Sequence, residues 1–387
     1  MKIIHLIASV DPAGGGPIEY ARVMAEQHRK WGHESVFVTL DLPDAQWVSS
    51  FAFKVRACGP KNRFGAPVPA FSQAVLEEAA NADAAVVHGL WHSASVSGYP
   101  ALTRAKLPWV VFPHGMLDRY FRKAKPVTHL AKQLYWTAWQ GRMFTDARAV
   151  LFTCAEEQKL AASAFRGHQD YRAQVVAFCA EDQLIGQQEI EDGRTAFKAA
   201  LPALEGRDYL LFLSRIHPKK ACDQLIEAFA RTAGIDEKLD LVIAGPDQVG
   251  WQQDLQELAE RLNIADRIHW PGSLAGAVKA AAFKDARAFV LPSHQENFGI
   301  VVAEALSAGT PVLISTQVNI WREIMDAGAG LCATDTVDAT EDMLRRFLSL
   351  PDEAARRLYE SARLCYEANF SVHQAATDLL NILDFKK

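Results

Sequence analysis

Four charged side chains in the second half of the chain have the types and spacing to do chemistry together: two cations that could receive a departing phosphate and two carboxylates that could hold hydroxyl groups. Arg215 and Lys220 lie in Ser214–Lys220, directly after the apolar run Tyr209–Leu213. Glu296 and Glu304 lie in the stretch from Pro292 to Ala305, which follows Ala288–Leu291 and leads into a helical pattern reaching about Ala308. A leaving diphosphate gains negative charge as its bond breaks, and fixed cations aimed at that charge lower the barrier. The helix entered at Phe298-Gly299-Ile300 would offer free N–H groups to the same anion. Glu304 follows Glu296 by eight residues, about two helical turns. One carboxylate can therefore stand at the loop mouth while the other reaches a diol, since ionised carboxylates accept well from paired hydroxyls. Each residue alone is ordinary: a solvated cation, a helix cap, a surface carboxylate. Their joint placement at two strand ends is not.

The first half offers a second set. Its first apolar run ends in Asp11-Pro12-Ala13-Gly14-Gly15-Gly16-Pro17, with a helix from about Ile18. Glycines let the backbone approach a ligand, and N–H groups at a helix start favour an anion. The pattern is not GxGxxG, which argues against a dinucleotide and a dehydrogenase. A tight strand-to-helix turn with no ligand explains the glycines equally well. His114 follows the run Trp109–Phe112 and precedes a glycine, while His88 and His92 close the preceding strand. His88 and His92 lack any Cys or HExxH context, so satisfied or acceptor-facing histidines are expected there and a metal is not. From Arg119 to Arg142 there are six Lys or Arg and no acid, with Leu130, Leu134, Tyr135 and Trp139 near helical spacing. An amphipathic helix with its aromatic stripe packed inward is the favoured expectation. The alternative is a patch for a membrane surface or an anionic, lipid-linked acceptor.

The elements that must position these groups are short Val- and Ile-rich runs alternating with helical patterns. Strands are predicted at Ile3–Ala8, Ser35–Thr39, Ala84–His88, Trp109–Phe112, Ala149–Phe152 and Gln174–Phe178 in the first half. In the second they are Tyr209–Leu213, Asp240–Ala244, Ile268–Trp270, Ala288–Leu291 and Pro311–Ser315. This alternation predicts parallel α/β sheets covered on both faces, with ligands at the carboxyl ends of the strands. At 387 residues the chain is longer than one core usually supports. The polar, acidic segment from Ala180 to Thr195 is the natural break. Domains are expected at 1–182 and 183–365, with a last helix over 366–387 packing back on the first.

Composition excludes several classes. Hydrophobic residues make up 49% and charged residues 22%, and the net charge of −5 disfavours nucleic acid. Six scattered cysteines give neither a disulfide framework nor a zinc site. The N-terminal apolar run stops at Val10, too short for a signal-peptide core, and no run approaches the length of a membrane span. A cytoplasmic protein, at most peripheral at the inner face of the plasma membrane, is expected.

At these residues the chain resembles the GT-B glycosyltransferases of family 4. That family's second domain carries an E-x7-E motif, matched by Glu296 and Glu304, and an Arg-x4-Lys clamp, matched by Arg215 and Lys220. The likeness extends to the N-terminal glycine loop, to His114-Gly115-Met116, and to Ala244–Asp247. It implies two Rossmann-like, doubly wound parallel-sheet domains facing across a cleft, the first binding acceptor and the second a nucleotide sugar. It further implies retaining, metal-independent transfer of a hexose from a UDP- or GDP-sugar to a saccharide or lipid-linked acceptor, with no cofactor. Exopolysaccharide, capsule or lipopolysaccharide assembly is the implied setting. Glu296 would contact the transferred sugar, Glu304 the ribose, and Arg215 and Lys220 the diphosphate, assisted by the Phe298-Gly299-Ile300 helix start. Gly15 and Gly16 would line the donor phosphate or acceptor side, Gly272, Ser273 and Leu274 would pass near the base, and His114 would stand beside the sugar. Two positions depart from the pattern: Ala221 replaces the usual glycine after the clamp lysine, and Phe178–Asp182 replaces a Pro-Asn-Gly stretch at the hinge. A nucleotide-sugar epimerase on the same fold is the competing activity.

Overall fold

A computed structural model describes residues 1–60, 66–117 and 126–384. They form two compact units, Met1–Phe178 with Val372–Lys387, and Cys179–Ser371. The first unit holds a parallel sheet of β1 (Lys2–Leu6), β2 (Glu34–Thr39), β3 (Lys54–Ala57), β4 (Ala84–His88), β5 (Trp109–Phe112), β6 (Ala149–Phe152) and β7 (Ala173–Val175). Its strand order is β3-β2-β1-β4-β5-β6-β7. The second holds β8 (Asp208–Leu213), β9 (Leu239–Ala244), β10 (Ile268–Gly272), β11 (Ala288–Leu291), β12 (Val312–Ser315) and β13 (Gly330–Ala333), in the order β10-β9-β8-β11-β12-β13. Both sheets are parallel throughout.

The inner strands are buried along nearly their whole length, as helices on both faces require. Ile4, Leu6, Phe71, Val87, Val111, Trp136 and Phe152 belong to the main core of the first unit. In the second, Leu211, Val242, Phe283, Phe289 and Val302 are fully buried. The strand order reverses between β1 and β4 in one sheet and between β8 and β11 in the other. Those are the points where an open α/β sheet leaves a crevice beyond its strand ends. The glycine loop follows β1, the Arg215–Lys220 loop follows β8, and the Glu296 loop follows β11.

Two strands were absent from the sequence expectation, β3 and β13. Both are sheet edges. Lys54 and Arg56 make β3 read as a polar connection, and Gly330-Leu331-Cys332-Ala333 is too short and glycine-led to register. The unit boundaries also differ from those expected. The first crossing falls at 178/179 because Ala180 belongs to the second unit, where its N–H donates to Phe370 O (3.3 Å) and its carbonyl accepts from Tyr366 Oη (3.0 Å). The chain returns at Val372, since helix Asp352–Asn369 packs against Ile300–Ser307 and Trp321–Ala327. Helix Val372–Leu383 then lies against Gly16–Lys30, with His28 Nε2 3.1 Å from Ala376 O.

Candidate functional site

In the second unit, the loops leaving β8, β9, β10, β11 and β12 converge. Gly245 lies where the β8 and β9 loops cross: a Cβ there would fall 1.8 Å from Ser214 O. Only a glycine fits, which explains why the Ala244–Asp247 segment takes its form. Ile216 N then donates to Pro246 O (2.9 Å) and Gly245 N to Gly272 O (2.8 Å), tying in the end of β10. Asp247 caps the helix Gln252–Arg261, accepting from Trp251 N and Gln252 N at 3.0 Å each. Its role is structural. Gly272 ends β10, Ser273 is exposed, and Leu274 is half-buried.

Lys220 and Glu296 form an ion pair, although 76 residues separate them. Lys220 is buried and Glu296 half-buried. The two loops are joined beside this pair: His294 N donates to Lys219 O (2.9 Å), and Lys219 Nζ donates to Gln295 Oε1 (3.2 Å). Glu296 is held on its other side by a backbone bridge to Val318, through Gln317 O and Asn319 N. Gly299 caps the following helix in the left-handed region (φ +77°), and a Cβ there would press to 3.2 Å from Glu296 Cγ. Phe298 is buried against Phe370, and Ile300 opens the helix Ile300–Ser307. Glu304 is buried, with Oε1 2.8 Å from Lys279 Nζ.

Arg215 stands apart from this pair. It is exposed, its Nη1 donates to Gln248 Oε1 (3.1 Å), and among the described residues it makes no ion pair. It still contributes to the local field. The His217 side chain has its pKa lowered by burial, then by Arg215, Lys219 and Lys220, so protonation is disfavoured where three cations gather. Such a loop welcomes an anion.

In the first unit, Asp41 braces the exit of β1, accepting from Ser9 Oγ (2.5 Å), Val10 N (2.9 Å) and Trp47 Nε1 (2.9 Å). A short turn, Pro12–Gly14, leads to Gly15 and then to the helix Gly16–Lys30, which begins earlier than expected. Among the described residues no side chain caps that helix at Gly15. Its first-turn N–H groups are thus of the kind that receive an anion. Tyr20 on the same helix stacks on Phe178 (4.4 Å) and meets the His114 ring edge-on (6.0 Å). His114 stacks on Phe112 (4.2 Å) in a left-handed conformation (φ +51°). The turn is fixed by buried Glu157, which accepts from Gly115 N (2.6 Å) and Thr153 N (2.7 Å). His114 Nε2 lies 2.9 Å from His88 Nδ1.

Two family profiles account for most of the sequence. The one described as a glycosyl transferase 4-like domain matches residues 15–179, and the one described as glycosyl transferases group 1 matches residues 193–364. The chain belongs to the group 1 glycosyltransferases. D-inositol 3-phosphate glycosyltransferase of Streptomyces scabiei is 33% identical to this group 1 chain over 196 residues, 48% of this chain and 44% of the relative. Alpha-monoglucosyldiacylglycerol synthase of Streptococcus pneumoniae is 29% identical over 192 residues, 49% and 43% of the two chains. The chain thus spans under half the length of these curated relatives. The crystal structure of Anabaena HepE in complex with UDP and glucose superposes along the whole of both chains with a TM-score of 0.75 at 17% identity. The fold is GT-B.

Several residues of this glycosyltransferase escaped the sequence reading. Lys279 and Gln248 are the partners of Glu304 and Arg215, and Glu157 carries the His114 turn. His5, lying mid-strand, is 3.0 Å from His88. His88 has both ring nitrogens in contact with other histidines, His5 at 3.0 Å and His114 at 2.9 Å.

The expectation that the aromatic stripe packs inward fails for most of its residues. Helix Pro126–Tyr135 continues through a wider π-type turn, Trp136–Gln140. Leu130, Leu134 and Trp139 are 64%, 67% and 54% exposed, and Val127 is 82% exposed. The buried anchor is Trp136, whose Nε1 donates to Gly167 O (2.8 Å). The π-type turn moves the apolar pattern round the helix, so Trp136, Met143 and Phe144 face the core instead. Arg119, Arg122, Lys123 and Lys125 of the basic run lie outside the described residues. No described helix is long and apolar enough to cross a membrane.

Proposed function

We propose that this protein is a retaining glycosyltransferase that moves a hexose from a UDP- or GDP-linked donor to a saccharide or lipid-linked saccharide, without a metal ion. The carrying observation is the Lys220–Glu296 pair at the ends of β8 and β11. An ammonium held against a carboxylate can exchange that partner for a diphosphate. The exchange frees Glu296 to accept from sugar hydroxyls, so the pair stores both donor contacts in one place. Arg215, on the surface of the same loop, closes on the phosphate from outside. Neutralising a diphosphate with Lys220, Arg215 and the helix start after Gly299 supplies the charge stabilisation that a metal would otherwise give. Glu304, steadied by Lys279, takes the ribose diol, and Gly272, Ser273 and Leu274 flank the base. In the first unit, Gly15, Gly16 and His114 are the residues assigned to substrate. HepE, similar in fold, is known with UDP and glucose, which favours UDP over GDP.

Incubation with UDP- and GDP-hexoses, with and without acceptors, tests this reading. The acceptor panel spans polyol phosphates and glycolipids, like those in the relatives' names, and envelope oligosaccharides of the exopolysaccharide, capsule and lipopolysaccharide type. The expected result is nucleotide release that requires acceptor, survives EDTA, and yields product with the donor's anomeric configuration. Sugar isomerisation without acceptor would instead make the protein an epimerase.

The exposed stripe Val127, Leu130, Leu134 and Trp139, beside Lys132 and Arg142, supports an acceptor presented at a bilayer. Cosedimentation with anionic vesicles should exceed that with neutral ones. Equal partitioning removes the membrane from the proposal.

A further inference from the structure

His5, His88 and His114 form a continuous file of imidazoles across three neighbouring strands. His5 lies in β1, His88 ends β4, and His114 follows β5; these strands are adjacent in the sheet. Because parallel strands lie about 4.8 Å apart, rings on one side of the sheet stack at nearly that spacing. The centroids are 5.3 Å apart from His5 to His88 and 5.2 Å from His88 to His114, with interplanar angles of 22° and 12°. His5 Nδ1 is 3.0 Å from His88 Nε2, and His88 Nδ1 is 2.9 Å from His114 Nε2. The two remaining nitrogens, His5 Nε2 at the deep end and His114 Nδ1 at the other, are buried without a hydrogen-bond partner among the described residues.

A neutral imidazole has one N–H and one lone pair. Both contacts in the file are made only when the three rings share one tautomer; any mixed state sets two lone pairs or two N–H groups face to face. The deep end then selects between the two concerted states. His5 is fully buried and stacked on Phe37 at 4.8 Å. An unpaired N–H is rarer in such surroundings than an unpaired acceptor. With His5 Nε2 as the bare lone pair, each ring carries its proton on Nδ1, and the last one is His114 Nδ1–H.

We infer that His5 and His88 are positioning residues, which through this file hold His114 as a neutral ring with Nδ1–H left to donate to an acceptor atom of the substrate. The inference rests on the reading of His114 given under Proposed function. Burial and the neighbouring rings keep the file uncharged: His5 and His88 lie well below the usual histidine range, and His114 is pushed down to about 3 by burial. Among the described residues the other titratable groups facing it are His92, towards His88, His28, towards His5, and Tyr20, edge-on to His114.

Ring-15N-histidine labelling tests the file without any assay of activity. In the wild-type protein His5, His88 and His114 should all read as Nδ1–H tautomers. His5→Leu removes the donor to His88 and should leave His114 in mixed tautomers. His5→Asn, whose amide N–H stands near the position of Nδ1, should restore one. In turnover of a nucleotide sugar, His5→Leu should lower kcat about tenfold or more with donor KM little changed, and His5→Asn should recover most of it. A proton on His114 Nε2 in the wild type, or a His114 tautomer indifferent to His5→Leu, overturns the inference. Absence of any sugar-nucleotide turnover defeats the proposed function instead, and the labelling experiment still judges the file.

Discussion

The two units share one strand order over six strands, the first adding β7 at its edge, and place their candidate groups at the same end of the sheet, yet they use opposite chemistry there. The first unit lines up neutral rings, of which His5 and His88 are wholly buried. The second sets a cation against a carboxylate, Lys220 and Glu296, with side chains 9% and 22% exposed. Depth explains the division. Desolvating a charge costs far more than desolvating an uncharged ring with hydrogen-bond partners. A file reaching into the middle of a sheet must therefore be neutral, while a loop mouth can hold ions. The consequence is a division of labour. A neutral file fixes direction, whereas an ion pair can change partners when an anion arrives.

Acidification should separate the two regions, and this is the largest effect expected. His114 is lowered to about 3 and His28 to about 4 by burial. Below about pH 6.5 the unfolded chain takes up protons that these native rings refuse, so stability falls as pH drops. At pH 5 each forfeits about 2 kcal/mol, at ~1.4 kcal/mol per pH unit; His5 and His88 add to this with the same sign. Hydrogen exchange at pH 7 and pH 5 should show protection lost in β1, β4 and β5 and kept in β8, β11 and β12. Equal loss in both sheets would erase the contrast.

Next in size is Lys220→Ala, which deletes the mobile cation and strands Glu296 without its partner. The loss expected in kcat/KM is about a hundredfold, roughly 3 kcal/mol of transition-state stabilisation. Steady-state kinetics reads it, and a change under threefold would mean the pair is only structural. Smaller still is Glu304→Ala, which should raise donor KM about tenfold, as for a lost hydrogen bond to a charged group, with kcat nearly constant. Calorimetry with UDP provides the check. An unchanged affinity would detach Glu304 from the ribose.

What the sequence revealed follows the same physics. Strands β4, β5 and β11 were readable to the residue because burial on both faces demands continuous apolar runs, and Lys220 and Glu296 were readable because they sit just beyond two such runs. Edge strand β3 was not, since one solvent-facing side admits Lys54 and Arg56. Position at a strand end also says nothing of direction, which is why Arg215 proved to face solvent and Gln248 rather than Glu296. His5 was hidden for a different reason. A lone polar residue in KIIHL looks like an interruption of the strand until its partner, 83 residues away, is seen beside it. Lys279 was hidden likewise, because an alanine-rich helix gives no periodic reason to single out one lysine.

The smallest effect concerns Ala221, where the family pattern has glycine. Its backbone lies in the left-handed region, φ +54°, as the cap that joins Lys220 to the helix Cys222–Thr232. That conformation costs a non-glycine residue about 1–2 kcal/mol. Ala221→Gly removes the strain, but it loosens the unfolded chain by about 0.5–1 kcal/mol. It also deletes a fully buried methyl, worth about 0.8 kcal/mol. The three nearly cancel, so the stability change should stay within about 1 kcal/mol, with UDP affinity unaltered. Denaturant titration decides. A gain of several kcal/mol would mean the strain is uncompensated, and a comparable loss would make the methyl a packing element that holds Lys220 against Glu296.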